Sequence, residues 1–186
     1  MSSLRVPFRT VASTFHERGH DPALEPAETL AINARGKARE VAERSGVPDD
    51  GAVLGADTGV VVDGQVLGKP SGPDHAREMI RALAAREHEV LTAVCLITAR
   101  VELAECDAAR VRMRRMPREM IDWYVGLGEW QERAGGYAIQ GSGAALVERV
   151  EGDYTTVVGL PVARVVGLLA VTGLAPWMRP AAPRRG

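Results

Sequence analysis

The run Gly55-Ala-Asp-Thr-Gly-Val-Val-Val-Asp-Gly-Gln-Val-Leu-Gly-Lys-Pro70 decides how this chain is read. Val53 and Leu54 lead into Asp57 and Thr58, the strand continues as Val60, Val61 and Val62, and Asp63-Gly64 turns it back through Val66 and Leu67 to Lys69. Asp-Gly between β-branched residues is a strong signal for a two-residue hairpin, because a type I′ turn needs positive φ at both central positions. With Asp63 and Gly64 as the turn, Val62 faces Gln65, and counting back sets Thr58 opposite Lys69. The hairpin neck thereby collects a carboxylate, a hydroxyl and an ammonium. Strict alternation puts Asp57 and Lys69 on opposite faces, but Gly59 and Gly68 are able to break the pleat and let the backbone approach a ligand. On this stretch alone, an exposed hairpin with a chance ion pair and a binding cleft both stay open.

Upstream, Val6 to Ser13 alternates as a short strand with Pro7 near its start. The segment from Thr14 to Pro26 holds Glu17, His16 and His20; the histidine spacing suits a metal pair on a helix, but Gly19 and Pro22 argue for a loop with solvated histidines. Ala27 to Arg44 is helical in pattern, with Leu30, Ala34, Ala38 and Val41 as its apolar stripe. Lys37 lies on that inward face, with Asn33 one turn earlier. Its ammonium either snorkels to water or enters a cleft and meets an anion. Gly36 inside this helix costs up to about 1 kcal/mol relative to alanine, which points to close packing there.

Downstream, Gly72 to Arg86 reads as a second helix with Ala76, Met79, Ile80 and Leu83 in the core. Glu89 to Glu102 reads as one long or bent central strand, and Asp107 to Met113 continues the sheet. Arg110, Arg112, Arg114, Arg115 and Arg118 form a basic run without interleaved aromatics, so it is read as a solvated face. Pro117 opens a short helix with Ile121, Tyr124 and Val125 on one face. The glycine-rich stretch Arg133 to Gly143 follows, in which Tyr137, Ile139 and Gln140 offer a ring, an apolar wall and an amide that both donates and accepts. Ala145 to Val150 and Tyr154 to Val158 read as a hairpin around Glu151-Gly152-Asp153. Pro161 starts a last helix with Val162, Val165, Val166 and Leu169 on one face. The expected fold class is α/β, an elongated mixed twisted sheet flanked by helices with a central cleft. Residues 1–173 are read as one domain and 174–186 as a disordered tail.

Lys+Arg of 23 against Asp+Glu of 24 leaves a net charge of −1, so no global field favours nucleic acid or membrane, and any phosphate site must be local. Cys95 and Cys106 are too few for a disulfide framework and read as reduced thiols. With no apolar signal core and no membrane-length run, the chain is expected to be soluble and cytoplasmic. The polar inventory of Glu17, Lys37, Asp57, Thr58, Lys69 and Gln140 suits hydrolysis of a phosphoanhydride. Carboxylates hold a hard divalent ion, lysines neutralise phosphate oxygens, and Asp57, at a strand end beside glycines, is the natural base.

Ala56-Asp-Thr58, Gly68-Lys-Pro70, Lys37-Ala38, Ala134-Gly-Gly-Tyr-Ala-Ile-Gln-Gly141 and Val157-Val-Gly-Leu-Pro161 together resemble the Maf family of nucleoside triphosphate pyrophosphatases, from about Val6 to Leu169. The resemblance implies an enzyme, often dimeric, that splits a nucleoside triphosphate to monophosphate and pyrophosphate with a divalent metal, Mg²⁺ or Mn²⁺. By position, Asp57 is similar to the family's proton acceptor, and Glu17, Lys37 and Lys69 to its other polar site residues, with Asp57 and Glu17 as metal candidates. Thr58 and Gln140 resemble the dTTP/UTP branch rather than the 7-methyl-GTP branch; a glutamine amide pairs well with the O4 and N3–H edge of uracil or thymine.

The resemblance has one gap. The family's opening strand and Ser-x-Ser-Pro-Arg-Arg loop have no counterpart here, because Leu4 to Phe8 matches the stretch beyond the helix that follows them. The domain is therefore expected to be N-terminally truncated and to lack two arginines. Losing one preorganised donor costs about 10²–10³ in rate. Either coding sequence begins upstream, or the chain is a catalytically impaired nucleotide-binding regulator of cell division.

Overall fold

The computed structural model describes residues 6–19, 21 and 23–178. Helix α1 (Pro26–Ser45) precedes strands β1 (Val53–Val62) and β2 (Gln65–Leu67), then come helix α2 (Pro73–Leu83) and strands β3 (Glu87–Ile97) and β4 (Glu102–Met113). Helix α3 (Arg118–Gly126), strand β5 (Val147–Glu151) and helices α4 (Tyr154–Val158) and α5 (Val162–Val171) complete it. The fold class is α/β as expected. The sheet has five strands in the order β2-β1-β3-β4-β5, and every pairing among the described residues is antiparallel, where a mixed sheet was expected. For β1–β2 and β3–β4 the cause is local, since each pair is joined by a tight turn, which only antiparallel neighbours accept.

The Asp63-Gly64 hairpin forms in the expected register, with Val62 opposite Gln65 and positive φ at Asp63 (51°) and Gly64 (76°). Residues 53–61 of β1 pair without interruption with residues 97–89 of β3, so Gly59 does not break the pleat. One sheet face carries Gly55, Ala93, Cys95, Ala104 and Cys106 in adjoining positions. These small side chains make a shallow bed for α1, which buries Leu30, Ala34 and Ala38 on it. Val60, Val90, Val94, Leu96 and Val111 point to the other face, under α2, α3 and α5. Alternation along β1 and β3 is thus burial on both sides, by one helix on one face and several on the other.

Further expectations are corrected. Residues 6–19 form no strand; they run along α1, where Ser13 Oγ donates to Glu40 (2.9 Å), Arg44 donates to the Ala12 carbonyl (2.7 Å) and the Phe15 ring covers Gly36. That ring explains the helical glycine. The strand expected over Glu89–Glu102 stops at Ile97, because Thr98 Oγ1 accepts from Arg100 N (3.2 Å) and Val101 N (3.1 Å) and closes a turn without Gly or Pro. β4 then starts at Glu102, ahead of the expected Asp107. Tyr154–Val158 is helical rather than the second arm of a hairpin: Asp153 caps it by accepting from Thr155 N and Oγ1 (both 2.7 Å), and Gly159 ends it at φ 108°. Cap chemistry at both ends outweighs the β propensity of Thr-Thr-Val-Val. At the C-terminus, Ala175 is fully buried beside Val165 and Leu168, and Pro176–Met178 forms a helical turn, inside the stretch expected to be a tail; residues 179–186 lie outside those described.

Gly55 sets how near α1 comes to the sheet. A Cβ there would run into the Ala34 carbonyl oxygen and stand 2.8 Å from Ala38 N. Gly55→Ala is therefore expected to destabilise the fold by about 2–3 kcal/mol through overpacking against backbone, read as a lowered midpoint of urea unfolding with unchanged slope. A midpoint equal to wild type would refute this packing role.

Candidate active site

β2 covers only Val60–Val62 of β1, so among the described residues the stretch Val53–Gly59 has no strand on that side. A cleft of about 780 Å³ wraps this edge, a volume suited to a nucleotide-sized ligand. Residues from both faces of one strand therefore reach the same space: Asp57 from the α1 face and Thr58 from the other. The loop at Glu17–Gly19 and α1 wall one side; Glu132, Arg133, Ala138–Gly141 and Gly159 wall the other.

On the α1 side the side chains converge tightly. Lys37 Nζ donates to Asp57 Oδ1 (2.7 Å), to Glu17 Oε1 (2.7 Å) and to the Ala56 carbonyl (3.3 Å). The inward lysine thus meets anions in a cleft. Burial by itself would lower the Lys37 pKa, but its hydrogen bonds to Asp57 and Glu17 carry it above the ordinary lysine value. The same ammonium holds the Glu17 carboxyl below the usual carboxylate range. Asn33, one turn before Lys37, fixes the other Asp57 oxygen: its Nδ2 donates to Asp57 Oδ2 (2.9 Å) and to the Arg18 carbonyl (3.1 Å), while its Oδ1 accepts from Arg18 N (2.8 Å). Both oxygens of Asp57 are held, by two residues of one helix face.

The far side of the edge holds the remaining expected residues. Thr58 Oγ1 lies 2.9 Å from Thr92 Oγ1 and lines the cleft next to Gly159, where a Cβ would stand 3.2 Å from it. Lys69, beyond the end of β2, pairs with Glu132 (3.0 Å) instead of Asp57, so the ammonium beside Asp57 is that of Lys37. Both members are well exposed, and such a pair is worth at most about 1 kcal/mol, so little holds Lys69 to Glu132. Gln140 lies on the exposed rim, between turns tied down by Gly135 N to the Gly68 carbonyl (3.1 Å) and Ser142 N to Glu129 Oε2 (2.9 Å). The structure thus brings Glu17, Lys37, Asp57, Thr58, Lys69 and Gln140 around one cleft.

Tyr137, expected to offer a ring, lines the cleft. It is buried, and its hydroxyl is 2.8 Å from His88 Nε2. Burial pushes the His88 pKa down to about 4, and its Nδ1 has no hydrogen-bond partner among the described residues. The unfolded chain binds this proton below about pH 6.5 and the folded protein only near 4, so stability is complete above 6.5 and falls between those values. The loss is on the order of 3 kcal/mol at pH 4. In His88→Gln the acid decline of stability, followed by urea unfolding from pH 7 to 4, is expected to flatten; an unchanged slope would contradict it.

His16 is exposed and His20 lies outside the described residues. Among the described residues no group of three or more His, Cys, Asp or Glu converges as a metal site. Asp57 and Glu17 do bring two carboxylates onto one ammonium. Mg²⁺ usually takes one or two protein carboxylates beside water and phosphate oxygens, so this donor set fits a hard divalent ion. Burial pushes the Cys95 thiol up to about 11 and raises Cys106 as well, which removes both from thiolate chemistry at neutral pH. No helix among the described residues is long and apolar enough to cross a membrane.

The residues that sequence reasoning missed are Thr92, Glu132 and the Asn33 bond to Asp57. Asn33 carried a signal, its position four residues before Lys37 on the same face. Thr92 and Glu132 carried none, since each reaches the site from a distant segment.

The family model described as Maf-like protein matches residues 1–172. The chain belongs to the Maf family. Among its Maf relatives, a protein named dTTP/UTP pyrophosphatase from Anaeromyxobacter dehalogenans is 48% identical over 164 residues, covering 86% of this chain and 81% of the relative. One of the same name from Thermus thermophilus is 47% identical over 177 residues, 95% of this chain and 89% of the relative. A Pyrococcus furiosus protein, again of that name, is 39% identical over 145 residues, 78% and 75% of the two chains. Lys37, Asp57, Thr58, Lys69 and Gln140, which line the cleft, lie within the motifs on which the Maf resemblance rested.

Proposed function

We propose that this chain is a nucleoside triphosphate pyrophosphatase of the dTTP/UTP class, releasing pyrophosphate and leaving the monophosphate. The observation that carries the reading is the Asn33–Asp57–Lys37–Glu17 array, opening into the cleft that also holds Thr58 and Gln140. Asp57 takes the proton of the water that attacks the α-phosphorus, and the bond to the bridging oxygen of the leaving pyrophosphate breaks. Asn33 and Lys37 keep its carboxylate from rotating, so the accepting oxygen is preorganised. Lys69 leaves Glu132 for the phosphate chain, and Lys37 offsets the charge that builds as the anhydride opens. Asp57 and Glu17 would hold the divalent cation, which supplies Lewis-acid stabilisation of the phosphate oxygens when bound. Gln140 on the rim and Thr58 inside pair with the polar edge of the base. A nucleotide substrate and two unreactive free thiols fit the reducing, nucleotide-rich cytoplasm.

The reading is tested by following pyrophosphate release from dTTP, UTP, CTP and 7-methyl-GTP with Mg²⁺ or Mn²⁺. Turnover of dTTP and UTP ahead of the other two is expected. A folded protein that binds UTP yet releases nothing would replace the enzyme with a nucleotide-binding regulator.

A further inference from the structure

Thr58, Thr92 and Asp107 stand opposite one another on three neighbouring strands, on the face covered by α4. Thr92 is fully buried, and its hydroxyl has two neighbours: the Thr156 carbonyl at 2.8 Å and Thr58 Oγ1 at 2.9 Å. A threonine hydroxyl has one proton and two lone pairs, and a carbonyl oxygen only accepts. The Thr92 proton therefore goes to Thr156. Were it turned to Thr58, two oxygens would face each other at 2.8 Å with no hydrogen between them, in a site closed to water. The Thr58–Thr92 bond is then made with the Thr58 proton. The carbonyl that sets this order is itself held in place: Thr156 Oγ1 donates to Asp107 Oδ2 (2.6 Å), and Arg164 Nε donates to Asp107 Oδ1 (2.8 Å).

We infer that Thr92 is a positioning residue that fixes Thr58 as a pure hydrogen-bond acceptor toward the cleft, and that this polarity selects uracil and thymine against cytosine. The inference rests on the substrate reading above and adds what that reading leaves open, the direction of the bond at Thr58. With its proton committed inward, Thr58 pairs only with a donor on the ligand. The imide N3–H of uracil and thymine is such a donor; N3 of cytosine is an acceptor, and facing Thr58 it would leave two lone pairs opposed. A sugar hydroxyl would also satisfy an acceptor, and CTP shares its sugar and triphosphate with UTP, so comparing the two isolates the base.

Thr92→Val keeps the shape and removes the hydroxyl. The Thr58 proton is released, Thr58 then donates as well as accepts, and the UTP-to-CTP ratio of kcat/KM is expected to fall about tenfold, mainly through faster CTP turnover. Thr92→Ser restores the hydroxyl and is expected to restore the ratio; a merely structural loss would slow both nucleotides together. An unchanged ratio in folded Thr92→Val, or an equal change for UTP and CTP, overturns the inference. Neutron diffraction from wild-type crystals in heavy water decides the polarity without activity. A deuteron on Thr58 directed at Thr92 supports it; one on Thr92 directed at Thr58 overturns it. If the wild type does not discriminate the two bases, the selection claim is overturned along with the base preference of the substrate reading, while the neutron map still decides the direction of the Thr58–Thr92 bond.

Discussion

Asp57→Asn lowers the kcat for pyrophosphate release from UTP by about 10²- to 10⁴-fold, the range that a positioned general base contributes. The amide oxygen still accepts from Lys37, so the array is not dispersed and nucleotide binding is expected to change little. What is lost is the oxygen able to take a proton from water. The amide nitrogen also meets Asn33 Nδ2, a donor against a donor, which adds a small cost in stability. Steady-state kinetics at saturating UTP, with binding followed separately by calorimetry, separate these effects. A kcat within threefold of wild type would remove Asp57 from the role of base.

Lys37→Met is expected to act in two ways at once. It removes the cation shared by Glu17 and Asp57, whose carboxylates then face one cleft without it. Loss of a preorganised cation near developing phosphate charge is expected to lower kcat/KM by about 10²–10³. The second effect is on pH dependence. Lys37 is what holds the Glu17 carboxyl below its usual range, so without it Glu17 takes up a proton at higher pH. Folding and activity that depend on that carboxylate are lost sooner as pH falls, and the acid limb of the kcat/KM profile moves to higher pH. Lys37→Arg keeps the charge and is expected to move the limb less, although a guanidinium cannot place one nitrogen on all three oxygens that Lys37 reaches. An acid limb that does not move in Lys37→Met would show that the ammonium only packs.

Both residues were legible before any coordinates. Asp57 stood between Gly55 and Gly59 at what reads as a strand end, although β1 runs on through it to Val62, and Lys37 stood at helical spacing from Leu30 and Val41 on an inward face. Their contact was not legible. The hairpin count brought Lys69 to the neck, since register connects only residues that share a turn, whereas Lys37 arrives from a helix packed across the sheet. The short side chains at Gly55, Ala34 and Ala38 allow that helix near enough for its ammonium to touch β1. Where local chemistry competes with propensity, reading by pattern failed in a consistent way. Thr98 closed a turn and Asp153 capped a helix with single side-chain oxygens, and both outweighed runs of β-branched residues.

By itself the sequence determined helices α1, α2, α3 and α5, the Asp63-Gly64 hairpin and its register, and the core positions of α2 and α3. These follow from interactions between residues near in the chain, where spacing alone says which side chains share a face. Only the tertiary structure decided the partners: Asp57 with Lys37 and Asn33, Lys69 with Glu132, and Thr58 with Thr92 under the Thr156 carbonyl. Those contacts join segments with no fixed spacing between them. They are set by how closely one helix lies on a bed of small side chains, and by a strand edge left open on one side, which lets both faces of β1 serve one cleft.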